Sequence, residues 1–468
     1  MAPAQVPWYG RGRGMATETT DVRGGTHRVR RGSLLGDLAR LRNDPLGLFA
    51  EGAASGEDVV RFRAAHRGVF LVVAANAIAH VGIHNRANYG KGVSYDALRV
   101  PLPGALLTID GEEARDRRKM LMPLFTRRSL VGEVPTMAAA IEALCERWDE
   151  YARTGAEFDV HSEMNRLTFD VVGRILVGAE LGDDMGRLES RLANASAWVA
   201  RRTRALVPLP TSIPTPSNVA YRRAYRELAA WADGLVASRR EAAGDGAAAR
   251  LVAARNGGGT GMDDRQLRDE VAAFLMAGYQ TTACALSWAW YLMSRHGDVQ
   301  ERFANAAEIA LAGGPPDAER LEVVPYIGQL LDEAMRLYPP GWAFTRTPAE
   351  DDEICGVRVP AGSIVIVCSY ANQRSPRFWD DPGTFDPERF APGRRESIPP
   401  YAYFPFGVGP HACIGKHMAE IEARLALTML ARRYRVEAVS DAPVQATPAI
   451  TLTPAEPIRV RVRRRDAA

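Results

Sequence analysis

The chain has 468 residues, 46% of them apolar, with 59 Lys plus Arg against 56 Asp plus Glu. That composition supports a large buried core and excludes a disordered chain, while a formal net charge of +3 leaves any charged partner to local clusters rather than to a global field. Cys145, Cys284, Cys355, Cys368 and Cys413 include no C-x-x-C pair, which argues against a disulfide framework, a zinc ribbon or a four-cysteine iron–sulfur site and fits a reducing, cytoplasmic setting.

Residues 1–34, rich in Gly, Arg and Thr, are expected to form a flexible tail, with Met15 as a second candidate start. They hold no apolar run near the ~18 to 20 residues of a membrane span, so neither a signal peptide nor a membrane anchor is expected. No Pro/Ser-rich linker divides the rest, and residues 35–468 are read as one domain. Apolar residues at three- and four-residue spacing predict helices over Thr136–Tyr151, Met164–Leu176, Tyr221–Glu241, Asp264–His296, Val299–Ala312, Val324–Leu337 and Met418–Tyr434. Asp263, with Gln266 three positions on, is a capping arrangement for the longest of these. The Ala- and Gly-rich stretch Glu241–Gly261 reads as a mobile surface connection. Strand-like runs are concentrated late, at Ser363–Val367 and Ile458–Arg463. The second alternates apolar with basic residues as a solvated strand face does, so its arginines do not imply nucleic acid.

The most specific stretch is Phe404-Pro-Phe-Gly-Val-Gly-Pro-His-Ala-Cys-Ile-Gly415. Two glycines and a proline shape a tight loop that delivers Cys413 to the start of a helix, where free N–H groups and the positive dipole end favour a thiolate. Gly415 lets a flat ligand approach. Elsewhere, Glu333 and Arg336 stand three apart and share a helix face, so they can pair with each other and with a third group.

Phe406 to Gly415, read as F-x-x-G-x-x-x-C-x-G, resembles the haem-binding signature of the cytochrome P450 family. Three further motifs agree in order. Glu333-Ala-Met-Arg336 matches the family's E-x-x-R, Pro387-Glu-Arg-Phe390 its P-E-R-F, and Ala277-Gly-Tyr-Gln-Thr-Thr282 its oxygen-binding helix. The resemblance implies a mainly α fold with small β-sheets, holding haem b between a long distal helix and a proximal loop and helix that carry the ligand cysteine. It also implies a monooxygenase that uses O2, with Cys413 as the iron ligand. Phe406, Gly415, Arg118, Arg346 and His411 would line or hold the haem, and Gly278, Gln280 and Thr281 would form the oxygen-activating stretch. Glu333, Arg336 and Arg389 would form a structural cluster behind the haem. Gly278 costs ~1 kcal/mol against Ala in a helix interior, which implies that something needs space there. Substrate-facing segments would include 88–107, Phe274, Ala277, Trp342, Ala343, Phe344 and 449–451. Being mainly apolar, they imply a hydrophobic small molecule such as a terpenoid, polyketide or fatty acid.

Two departures stand out. Gln280 occupies the place where the family usually has Asp or Glu, and a neutral amide cannot relay a proton as a carboxylate does. Ala114 stands where the family commonly has His or Trp, four residues before Arg118. No flavin or iron–sulfur segment is visible, so electrons, drawn indirectly from NAD(P)H, are expected from a ferredoxin or flavodoxin with its reductase. That partner would dock on Arg115, Arg117, Arg118, Lys119, Arg127 and Arg128, with Lys416 and His417. Gln280 keeps open a peroxide-using or non-oxygenating haem-thiolate enzyme, and a non-catalytic haem sensor is a lesser alternative.

Overall fold

The computed structural model describes residues 34–64, 67–177, 185–203, 205, 208–241 and 262–465. The N-terminal tail with Met15 and the connection over 242–261 lie outside the described residues. The chain gathers into two compact units, each drawn from separate stretches of sequence. One comprises Met1–Val93, Arg336–Asp386 and Pro392–Ala412, and the other Ser94–Met335, Pro387–Ala391 and Cys413–Ala468.

The first, the sheet unit, is built on five strands. In order they are Val59–Ala64, Arg67–Val72, Ile364–Val367, Phe344–Pro348 and Tyr89–Gly90. Arg67–Val72 pairs antiparallel with Val59–Ala64 and parallel with Ile364–Val367, in the register Phe70 to Val365 and Val72 to Val367. Strands are concentrated late, as expected, with eight of the twelve described strands lying between Phe344 and Arg464, but the early strands Val59–Ala64 and Arg67–Val72 were not foreseen. Val69 to Val72 are all nearly inaccessible, and a strand covered on both faces carries no polar alternation for a periodicity reading to detect. Phe70, Val72, Ile78, Tyr89, Val365, Val367 and Phe404 form the core of this unit. The helix Pro45–Ala53 starts where it does because the Asp44 side chain accepts the Gly47 N–H at 3.0 Å and Pro45 opens the first turn.

The second, the helical unit, centres on the helix Asp264–Arg295, 32 residues and so about 48 Å long. Its capping box is present as read from the sequence. Asp263 Oδ1 accepts the Gln266 N–H at 2.7 Å, and Gln266 Oε1 accepts the Asp263 N–H at 3.0 Å. The other predicted helices appear as Val134–Thr154, Val160–Val172 with a π turn over Gly173–Val177, Pro216–Glu241, Gly297–Leu311, Pro325–Leu337 and Lys416–Arg433. The helix Met185–Thr203, not singled out by periodicity, packs against Pro216–Glu241. Trp148, Trp290 and Tyr434 anchor the core, with ring centroids 5.5 to 5.6 Å apart about Trp148. The strand Arg459–Arg464 pairs with Tyr434–Ala438. Val460 and Val462 point inward, while Arg461 and Arg463 point out to Glu157 and Glu437. Among the described residues no helix is long and apolar enough to cross a membrane.

Candidate active site

Cys413 stands three positions before Lys416, the first residue of the helix Lys416–Arg433, whose N-terminal cap is Gly415. Its side chain is exposed at the surface of this loop, with much of the protein's mass around it. That desolvation pushes the thiol above its ordinary range, against a hydrogen bond from the Gly415 N–H and the positive charge of Arg118. The other cysteines differ. Cys145, Cys284 and Cys368 are buried, which lifts Cys284 and Cys368 to about 12 and Cys145 to about 11, Cys368 against the Ala371 and Tyr370 N–H groups and Arg374, and Cys145 against Arg433. Phe125, which the sequence did not mark, is buried next to this loop. Its ring edge lies about 4 Å from where a side chain on Gly415 would begin, and it meets Phe274 of the long helix edge-on at 5.2 Å.

Along the long helix, residues 273–276 and 282–293 are buried, whereas Ala277 between them is exposed and Gln280 and Thr281 are half-buried. The helix thus opens one turn of its surface in the middle of a buried run. Thr281 Oγ1 donates to the Ala277 carbonyl at 2.7 Å, which keeps its lone pairs available as acceptors. Phe274, expected to face substrate, is 8% exposed and its ring meets Phe125. The room implied by Gly278 has a packing cause. A methyl group there would stand 2.9 Å from Val172 Cγ2 of the neighbouring helix, so the glycine lets two helices close on each other. Thr168, on the same neighbouring helix, places its hydroxyl 2.9 Å from the Tyr279 carbonyl and so ties that helix to the same turn. Sequence reasoning missed both partners because each sits on an ordinary helical face.

A second buried cluster joins the segment after Leu98 to the start of the long helix. Arg117 Nη1 donates to Glu270 Oε1 at 2.9 Å and to the Gly104 carbonyl at 3.0 Å. Glu270 Oε1 also accepts the Leu106 N–H at 2.8 Å, and Asp269 Oδ2 accepts the Gly104 N–H at 3.0 Å. Burial pushes Glu270 up to about 7, against the Leu106 N–H and Arg117, and pushes Asp269 up as well. Arg117 was expected on a solvated docking face. It is 5% exposed and committed inward, which removes it from that face. The signal was available, since Ala114, Arg117 and Leu121 follow three- and four-residue spacing and all three are buried. Arg115, Lys119 and Arg128 remain exposed, Arg127 pairs with Glu322, and Lys416 and His417 stand near Glu420. The buried Ala114 offers no polar atom, in keeping with its sequence reading.

Glu333 and Arg336 are both fully buried, and Arg389 Nε lies 3.6 Å from Glu333 Oε1. Within the sheet unit, Arg336 donates to the carbonyls of Gln373, Pro382 and Thr384 at 2.9 to 3.0 Å, and its guanidinium lies 5.0 Å from the Trp379 ring. The sheet unit also carries Arg346, Trp342, Ala343, Phe344, Phe406 and His411. Arg346 is 5% exposed, with its guanidinium 5.1 Å from the Phe344 ring. Trp342, Ala343, Phe344 and Phe406 are half-buried, as is His411, which ends the short turn Gly409–His411. Gly409 adopts φ +68, and a side chain there would strike the Gly82 carbonyl, so this turn demands glycine.

The donor chemistry of Cys413, with an N–H on its sulfur and a guanidinium nearby, fits a thiolate ligand to haem iron. The exposed turn at Ala277 provides a surface for a bound molecule on the long helix. The sequence matches the profile described as Cytochrome P450 over residues 29–462. The chain belongs to the cytochrome P450 family. It is 29% identical over 435 residues to pentalenene oxygenase of Streptomyces avermitilis, covering 92% of this chain and 95% of that protein. It is 31% identical over 411 residues to cyclooctat-9-en-7-ol 5-monooxygenase of Streptomyces melanosporofaciens, covering 87% and 88%. The crystal structure of the cytochrome P450DA haem domain matches with a TM-score of 0.83 at 25% identity, over 92% of this chain and 96% of that one. The protein is therefore a haem b monooxygenase of mainly helical fold with small sheets. It acts with O2 on a hydrophobic substrate and receives NAD(P)H-derived electrons through a redox partner. The non-catalytic sensor alternative falls with that assignment.

Proposed function

We propose that this enzyme hydroxylates or epoxidises a terpenoid, with residues 35–468 acting as one catalytic domain in the cytoplasm. Two relatives named for oxygenation of pentalenene and of cyclooctat-9-en-7-ol support the substrate class. So do the apolar side chains of Ala277, Trp342, Ala343 and Phe344. The observation that carries the site is Cys413 held two positions before a helix cap, with the Gly415 N–H on its sulfur. When bound, haem b supplies the activation of O2 and the transfer of one oxygen atom to substrate carbon. Arg118, Arg346 and His411 are the cationic or hydrogen-bonding groups assigned to its propionates, with Phe406 and Gly415 beside the ring. A ferredoxin or flavodoxin brings the electrons, docking against Arg115, Lys119, Arg128, Lys416 and His417.

Proton supply falls to Thr281. Its hydroxyl, fixed by the Ala277 carbonyl, offers lone pairs to a water, and Gln280 beside it can hold that water without ionising. Thr281→Ala should divert most consumed electrons to hydrogen peroxide, whereas Gln280→Glu should leave coupling unchanged or raise it. Full coupling in Thr281→Ala would place the relay elsewhere. Cys413→Ala should abolish the red-shifted carbon monoxide band of the reduced protein, and retention of that band would overturn the ligand assignment. The substrate class is tested by haem spin-state shifts and product masses across cyclic terpenes, polyketides and fatty acids. A response to fatty acids alone would refute it. Because Gln280 lacks a carboxylate, peroxide-driven turnover is the second reading, and it is decided by comparing rates with hydrogen peroxide and with a ferredoxin system.

A further inference from the structure

Asp352 opens the short strand Asp352–Ile354 of the sheet unit, far along the chain from the side chains it binds. Its Oδ2 accepts from His80 Nε2 at 2.8 Å, from Asn85 Nδ2 at 3.1 Å and from the Tyr89 hydroxyl at 2.6 Å, while Oδ1 accepts the Glu353 N–H at 2.8 Å. The carboxylate is 12% exposed. Desolvation opposes its charge, but the bonds from Tyr89, His80, Glu353 and Asn85 outweigh that and hold it below the ordinary aspartate range. Asp352 is therefore ionised at neutral pH and stands as a fixed acceptor.

Two of these donors bracket one feature. His80 begins the π turn His80–His84 and Asn85 follows it, so a single carboxylate oxygen grips both ends of a turn that is rare and clusters at functional sites. The middle of that turn bears on the loop leading to the ligand cysteine. A methyl group on Gly82 would stand 2.6 Å from Val408 Cγ2, and one on Gly409 would stand 2.0 Å from the Gly82 carbonyl oxygen. Val81 and Val408 are buried on either side of this contact, which leaves neither segment room to retreat. Gly409 in turn begins the short turn Gly409–His411, closed by the Ala412 N–H on the Gly409 carbonyl at 3.0 Å.

A brace for the strand Asp352–Ile354 alone would not draw its three side-chain donors from residues 80–89, nor end in a backbone contact that only glycine allows. We propose that Asp352 is a positioning residue for His411, a role that rests on the assignment of His411 to a haem propionate. Asp352 fixes the π turn, the π turn fixes Gly409 through Gly82, and the turn that starts at Gly409 fixes where the His411 ring stands. A group that orients a ligand-binding side chain from behind limits its spread of positions without touching the ligand itself.

In the haem-loaded enzyme, Asp352→Asn should shift the haem reduction potential in the same direction as His411→Ala, and the double variant should shift it no further than His411→Ala alone. Hydrogen exchange at the Ala412 N–H should quicken about tenfold in Asp352→Asn, the effect of one lost charge-assisted hydrogen bond. His80→Ala should reproduce both changes, and it carries the test should Asp352→Asn fail to fold. His80→Gln, which keeps an N–H donor for Oδ2, should stay close to wild type in both. The control is Asp351→Asn, one residue earlier and bonded to Arg358 and the Ala361 N–H, which should leave both unchanged. A potential unmoved in Asp352→Asn but moved in His411→Ala would overturn the positioning role and leave the propionate assignment standing. Additive shifts in the double variant, or an equal shift in Asp351→Asn, would overturn it as well. A potential unmoved in His411→Ala would remove the propionate assignment and the proposal with it.

Discussion

Two arginine–glutamate pairs lie in the interior of the helical unit, and they are kept in different ways. Glu333 has no exposure and Arg389 approaches it to 3.6 Å, on a helix whose next turn sends Arg336 to three carbonyls. Glu270 is just as buried, but one of its oxygens takes both Arg117 and the Leu106 N–H while Oε2 finds no partner among the described residues. The first arrangement is a fixed rivet. The second holds a carboxylate at the edge of ionisation, since half its hydrogen-bonding capacity is unmet in a desolvated place. A buried arginine shared among three carbonyls, as Arg336 is, thus makes a firmer element than a buried carboxylate with one oxygen unmet.

Breaking the rivet should have the largest effect. Arg336→Ala removes a fully buried guanidinium from the carbonyls of Gln373, Pro382 and Thr384 and should cost about 3–5 kcal/mol or abolish haem incorporation, as read by urea denaturation and haem content per chain. Normal haem content and stability would show that the cluster is dispensable. Next in size is Arg117→Ala, which should destabilise by about 3 kcal/mol at pH 8 and visibly less at pH 6, where Glu270 can neutralise itself with a proton. A loss independent of pH would mean that Arg117 matters for packing alone.

Glu270→Gln sharpens the contrast through its pH dependence. Burial holds the folded Glu270 near 7, above the ordinary glutamate value of about 4.3, so the folded state binds this proton more tightly than the unfolded one. Its contribution is full below about pH 4.3, declines as pH rises to about 7, and is constant beyond. Glutamine should flatten that slope while keeping the Leu106 N–H bond through its carbonyl. An unchanged slope would assign the titration to another group. The smallest effect belongs to a solvated pair. Arg432 and Glu308 meet bidentately at 2.7 and 3.0 Å but are nearly half-exposed, so Arg432→Ala should cost under ~1 kcal/mol and less in high salt.

The two pairs also differ in how far they could be read beforehand. Glu333, Arg336 and Arg389 sit in motifs, and the sequence marked all three. Arg117 and Glu270 lie 153 residues apart, and nothing local joins them. In a basic run, Arg117 looked like surface, although its spacing with Ala114 and Leu121 placed it on the buried face. The long helix and its capping box were legible because a 3.6-residue period and a cap are local signals. Arg67–Val72 was not, since a strand buried on both faces resembles any apolar run. Gly278 was correctly marked as a place of tight approach, but the approaching atom, on Val172, was visible only in the packing.

The interleaving of the two units bears on how the protein is made. An interior strand of the sheet, Arg67–Val72, leaves the ribosome early, but its parallel partner is Ile364–Val367, and the Val73 carbonyl awaits Asn372, 299 residues later. At roughly 5–20 residues per second that wait lasts on the order of 15–60 s, during which an apolar strand edge stays open to other chains. Cys413 emerges only after the whole sheet unit has been synthesised. The yield of active enzyme should therefore depend more on chaperone supply and growth temperature during synthesis than on the stability of the finished fold.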